Sequence, residues 1–208
     1  MAAVFDFLDG FTARLLNSVT ETGKQLDSLA DIVSFGLAPA TILFTLLEFS
    51  MFKINQPVYD ISAEWDKWLV LFLVMTMPVC GAIRLARFNI SKNNESFFRG
   101  LPIPANGLFW ASMGLMLEFP QQNEIFKILY STHNILILGL FTSGMMVISL
   151  PMFSFKFKTY TLRENWYRYL FLLITIVLIT FLNVYGLAIA ILVYIFLNII
   201  FYLTGVRY

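Results

Sequence analysis

Four aspartates in the first 31 residues carry the chemistry legible in this chain. Asp6 and Asp9 are three residues apart, and Asp27 and Asp31 are four apart. On a helix, either spacing places both carboxylates on one face. The stretch between the pairs contains Ser18, Thr20, Glu21, Thr22, Gly23 and Lys24, polar enough to turn the chain. A helix–turn–helix would set the two pairs opposite each other. Four carboxylates near a membrane cannot all stay ionised without a counter-charge, and ionisable residues there mark function by default. Oxygen-only ligands suit hard cations such as magnesium, manganese or calcium, whereas zinc favours His and Cys. The single His (His133) and single Cys (Cys80) lie far along the chain. A hard divalent ion bridging the carboxylates to a phosphate is the simplest chemistry that accounts for the arrangement.

Small and basic residues are registered against these aspartates. Gly10 follows Asp9, Ala13 lies one turn beyond Asp9, and Gly23 lies one turn before Asp27 on the same face. Glycine is costly inside a helix and useful where a ligand approaches backbone. Close helix packing is the competing use of such residues, but it does not explain their register with four carboxylates. Arg14, one turn after Gly10, can reach a phosphate oxygen.

The elements that position these residues must be membrane helices. Hydrophobic residues make up 59% of the 208 and charged residues only 13%, against about 25% charged in soluble domains. Such a chain cannot cover itself with polar surface, so lipid is its solvent. A net charge of +1 excludes the basic field that nucleic-acid recognition needs. Apolar stretches near residues 1–21, 27–50, 67–90, 103–119, 133–152, 167–183 and 187–204 predict an all-α polytopic bundle of about seven spans, each near the roughly 20 residues a bilayer requires. Pro78 is expected to kink the third, and Gly186 to mark a sharp turn between the last two. No linker or low-complexity tract divides residues 1–208, so they read as one transmembrane domain.

With spans so drawn, Arg14, Lys24, Arg84, Arg87, Lys92, Arg99, Lys156, Lys158, Arg163, Arg168 and Arg207 collect on one side. Only Lys53, Lys67 and Lys127 fall on the other. Lys and Arg concentrate in cytoplasmic loops, so the acidic site is expected to face the cytoplasm. Met1 enters an apolar run directly and Asp6 follows after barely one turn, which reads as the interior of a helix whose upstream half is missing.

The run DFLDGFTAR (6–14), eight residues, then GKQLDSLAD (23–31) resembles, position for position, the D-x-x-D-G-x-x-A-R…G-x-x-x-D-x-x-x-D signature of the CDP-alcohol phosphatidyltransferases. The resemblance implies that Asp6, Asp9, Asp27 and Asp31 hold a magnesium or manganese pair that grips the CDP pyrophosphate. It implies further that Asp31 is the base that deprotonates the attacking hydroxyl, and that Gly10, Ala13, Arg14 and Gly23 line the nucleotide site. Family members carry a further helix before this motif, in keeping with the N-terminal truncation expected here.

A second region narrows the resemblance. RLARFN (84–89), the FRGLPIPA segment (98–105) and the VSFG run (33–36) after Asp31 are similar to the bacterial and archaeal phosphatidylserine synthases. That similarity implies transfer of a phosphatidyl group from CDP-diacylglycerol to L-serine, with CMP released. Integral membrane placement follows, in the inner membrane if the cell is bacterial, and a homodimer is compatible with it. Arg84 and Arg87 lie three apart, and Arg pairs with carboxylate or phosphate bidentately. They are therefore candidates for serine or lipid phosphate, with snorkelling to the interface as the alternative. Asn89 joins them, with capping of the helix end as its alternative role. No obvious Ser, Cys or His nucleophile stands beside the aspartates, so direct in-line attack by the acceptor is expected. Glycerol phosphate or inositol phosphate as acceptor, and a cation transporter using the aspartates as an ion site, are the competing readings. The transporter fits poorly with carboxylates confined to one depth beside Arg14.

Overall fold

The computed structural model describes residues 8, 12, 15, 16, 20–53, 61, 64–90, 97–119, 124–153 and 161–205. Its first long element begins where Thr20 caps a helix, the hydroxyl accepting from the Gly23 N–H at 3.0 Å. Helix α1 (Glu21–Asp31) runs through a π-helical turn (Ile32–Leu37) into α2 (Ala38–Phe52), a continuous stretch of 32 residues. Pro39 explains the π turn. Proline has no N–H, and its ring crowds the carbonyl four residues back, here Phe35. The wider turn relieves this, and the Ala38 N–H bonds back five residues to Val33. Lys53, with φ of 62°, ends α2 in the left-handed region.

The second long element has the same logic. Helices α3 (Trp65–Phe72) and α4 (Thr76–Ile90) join through a 3-10 turn, Leu73–Met75. The expected distortion at Pro78 is therefore placed one turn upstream, around the carbonyl of Val74 that the proline cannot bond. The last two spans, α8 (Leu162–Leu182) and α9 (Val184–Thr204), form an antiparallel hairpin. Its turn is made by Asn183, at φ 49°, and not by Gly186 as the sequence suggested. Gly186 lies inside α9, where a Cβ would collide with the main-chain carbonyl of Leu178. It permits close approach of the two helices.

Four helical stretches among the described residues are long and apolar enough to cross a membrane: Glu21–Phe52, Trp65–Ile90, Glu164–Leu182 and Val184–Thr204. The expected stretches at 103–119 and 133–152 form shorter helices, α5 (Ile103–Met116, 14 residues) and α7 (Thr132–Val147, 16 residues). A brief helix, α6 (Glu124–Leu129), precedes α7. At 1.5 Å per residue α5 and α7 span only about 21–24 Å. Beyond α5 the chain turns at residues 117–119, and beyond α7 it runs extended into a strand. Strands β1 (Phe97–Arg99) and β2 (Pro151–Phe153) pair antiparallel, Phe98 opposite Met152. Helix α7 stops at Val147, shortly before Leu150, where the following Pro151 disfavours helical backbone. The first expected span, near residues 1–21, lies largely outside the described residues.

The bundle is apolar on both sides. Leu47, Met77, Trp110 and Ile135 are fully buried, while Phe72, Leu173, Ile176 and Phe196 are more than 60% exposed, as a lipid-solvated surface requires. The helices that carry the acidic motif and the arginines meet through small residues. A Cβ on Gly36 would touch Pro78 at 3.5 Å, one on Gly81 would touch Ile103 at 3.6 Å, and one on Gly107 would press on Phe35 at 3.0 Å. These three contacts lock the π turn, α4 and α5 together just below Asp31.

Candidate active site

Gly23, Asp27 and Asp31 recur every four residues along α1 and share one face. Asp27 is exposed and Asp31 half-buried, because Asp31 sits where the helix enters the packed π turn. Asp6, Asp9, Gly10, Ala13 and Arg14 lie outside the described residues. Gly23 also has a local task. Its N–H is the group that Thr20 caps, and a Cβ there would meet the Thr20 hydroxyl at 3.0 Å.

The packing of Gly36 in the π turn against Pro78 brings α4 alongside the helix that carries this face. Arg84, one turn beyond Gly81, is 8% exposed, and Asp31 and the Tyr194 phenol both lie within its electrostatic reach. Arg84 is thus a cation placed with the acidic motif. Arg87 is directed elsewhere. It is exposed, and its Nη1 donates to the carbonyl of Val147 at 2.7 Å. That carbonyl belongs to the last turn of α7, where the helix dipole favours a cation. The two arginines share a helix, yet one is buried beside Asp31 and the other clamps α4 to α7. Asn89 Nδ2 donates to the Ser28 hydroxyl at 3.0 Å, which ties the end of α4 to the aspartate helix.

Three further polar residues complete the surroundings. Tyr194 donates its hydroxyl to the Phe153 carbonyl at 2.8 Å. Asn198 accepts from the Phe153 N–H at 2.8 Å and donates to the Tyr194 carbonyl at 2.7 Å. Both polar groups of Phe153 in β2 are therefore held by α9. Ser28, Tyr194 and Asn198 were not singled out from sequence. Asn198 did carry a signal, being a polar residue inside an apolar span and fully buried, where an amide must find partners.

The donor chemistry of Asp27 and Asp31 fits a hard divalent cation. Both offer oxygen only, on one face, without nitrogen or sulfur donors between them. Among the described residues no group of three or more His, Cys, Asp or Glu gathers. The two on α1 are the half of the expected ligand set that can be placed.

These features define a polytopic helical membrane protein with an acidic helix face beside a buried arginine. Residues 1–200 match the family model for CDP-alcohol phosphatidyltransferase, and the chain belongs to that family. A CDP-diacylglycerol–serine O-phosphatidyltransferase of Methanocaldococcus jannaschii is 35% identical over 129 residues, covering 62% of this chain and 54% of that protein. One of Bacillus subtilis is 33% identical over 103 residues, 50% of each. One of Helicobacter pylori (strain J99) is 42% identical over 104 residues, 49% of this chain and 38% of the relative. The chain spans about half the length of the curated relatives it matches first.

Proposed function

We propose that the protein transfers a phosphatidyl group from CDP-diacylglycerol to L-serine. The observation that carries this reading is the Asp27–Asp31 face with Arg84 buried beside it, in a chain whose relatives bear the name of that reaction. The family generally uses a divalent metal. Held by Asp6, Asp9, Asp27 and Asp31, magnesium or manganese would supply stabilisation of charge developing on the pyrophosphate oxygens.

The chain's own residues divide the remaining work. Asp31 takes the proton of the serine hydroxyl, the serine oxygen bonds to the lipid phosphorus in line, and the bond from that phosphorus to CMP breaks with its electron pair leaving on CMP. Arg84 offers a fork for an anion next to Asp31, either the serine carboxylate or the lipid phosphate. Arg87 keeps four N–H donors beyond the one given to Val147 and faces solvent at the same end. Gly10, Ala13, Arg14 and Gly23 line the nucleotide. The site faces the cytoplasm, in accord with the one-sided distribution of Lys and Arg.

An acceptor panel tests the proposal. Purified protein in liposomes with CDP-diacylglycerol and magnesium or manganese is offered serine, ethanolamine, glycerol phosphate or inositol phosphate in turn. Serine is expected to give phosphatidylserine, and ethanolamine, which lacks the carboxylate, to react poorly. Equal rates with serine and ethanolamine, or preference for a phosphate-bearing acceptor, would overturn the serine assignment.

A further inference from the structure

Helix α1 carries the carboxylates, yet among the described residues nothing apolar fixes its rotation. None of its residues is buried, and Leu26 and Leu29 are 61% and 59% exposed. It enters the packed part of the bundle only through the π turn, whose altered register separates it from α2. A polar contact grips it. Ser28 donates its hydroxyl to the Lys24 carbonyl at 3.0 Å and receives the Asn89 Nδ2 at 3.0 Å. A serine hydroxyl has one hydrogen. With that hydrogen committed to Lys24, the oxygen acts toward Asn89 only as an acceptor, and the amide must present its nitrogen to Ser28. On a helix Ser28 lies about 60° round the axis from Asp31 and about 100° from Asp27. Any rotation that keeps this bond keeps both carboxylates aimed as they are.

We propose that Asn89 is a positioning residue. Through Ser28 it sets the rotation of α1, and with it the direction of the Asp27 and Asp31 carboxylates, and it does not contact the acceptor. This deepens the proposed function and rests on its reading of those carboxylates as cation ligands. Groups that orient metal ligands from outside the coordination sphere typically change affinity 10–100-fold when removed.

The test uses the full chain in detergent with CDP and manganese, and follows bound manganese by loss of the free-ion electron paramagnetic resonance signal. Serine kinetics are run alongside. Asn89→Ala and Ser28→Ala should each weaken manganese binding about tenfold, and the double variant should be no worse than either single one. Ser28→Thr should retain near-native binding, because threonine keeps a hydroxyl that can bond the carbonyl one turn back. The serine KM should not move in any of them. Additive losses in the double variant, or a raised serine KM in Asn89→Ala with manganese binding intact, would overturn the positioning role. Failure of the unaltered protein to bind manganese would instead remove the reading of Asp27 and Asp31 on which the role depends. Ser28 is on a helix without buried side chains, so its alanine variant keeps the comparison independent of any folding defect at Asn89.

Discussion

Replacing Gly100 with alanine should unsettle the seam between the β1–α5 corner and the end of α7. Gly100 links β1 to α5 at φ +74°, and its N–H donates to the Leu150 carbonyl at 2.9 Å. An added Cβ would lie 2.5 Å from the Met146 carbonyl oxygen, 2.8 Å from that of Ile148 and 2.9 Å from that of Met145. All three are main-chain atoms at the end of α7, and carbon ordinarily meets a carbonyl oxygen no closer than about 3.3 Å. The left-handed conformation costs a non-glycine residue about 1–2 kcal/mol, and forcing extra volume into a packed site costs about 1–3 kcal/mol more. The sum, about 2–5 kcal/mol, corresponds to a Tm lower by about 4–20 °C for a chain of this length. Gly144→Ala is the control. It lies in the same helix end with nothing within 4 Å of its added methyl, and should be neutral or stabilising by up to about 1 kcal/mol. The assay is the temperature at which half of the detergent-solubilised protein stays monodisperse. Equal midpoints for the two variants would refute the claim that the seam carbonyls leave no room.

Further outcomes follow from the site. Asp31→Asn should keep CDP binding but lose turnover by at least about 10²-fold, the usual scale of a general base; near-native turnover would rule the assignment out. Arg84→Lys keeps the charge and loses the fork, so serine KM should rise more than lipid KM if Arg84 reads the carboxylate, and the reverse if it holds phosphate. A silent Arg84→Lys would mean that neither anion is held there. Tyr194→Phe removes the 2.8 Å bond to Phe153 and should lower Tm by the few degrees that about 1 kcal/mol represents; an unchanged Tm would show that Asn198 holds β2 alone.

Local spacing made the chemistry legible, and distance in sequence hid what supports it. The i, i+4 relation of Asp27 and Asp31 survives in α1 because a helical period needs no tertiary partner. The all-α membrane class followed equally directly from apolar run length. The shortening of α7 could not be read, because the residues of β2 look like the end of an apolar run until Phe153 is set opposite Phe97. The different fates of Arg84 and Arg87 were hidden for a similar reason. Three residues along one helix cannot reveal that Asp31 lies within electrostatic reach of one guanidinium and that the other bonds the Val147 carbonyl. Pro39 and Pro78 announced distortion, but not that it would be a π turn before one and a 3-10 turn before the other. Asn89 was legible as a polar residue near the motif, and its engagement with Ser28 needed the fold.

The central claim is that the carboxylate face of α1 drives phosphatidyl transfer to serine. Its most direct test supplies CDP-diacylglycerol, labelled serine and magnesium or manganese to the unaltered protein and to Asp27→Asn in the same liposomes, and measures phosphatidylserine and CMP together. The account predicts equimolar phosphatidylserine and CMP from the unaltered protein, abolished by chelation and by Asp27→Asn. Phosphatidylserine formation that persists in Asp27→Asn, or in excess chelator after bound ions are stripped, would contradict it.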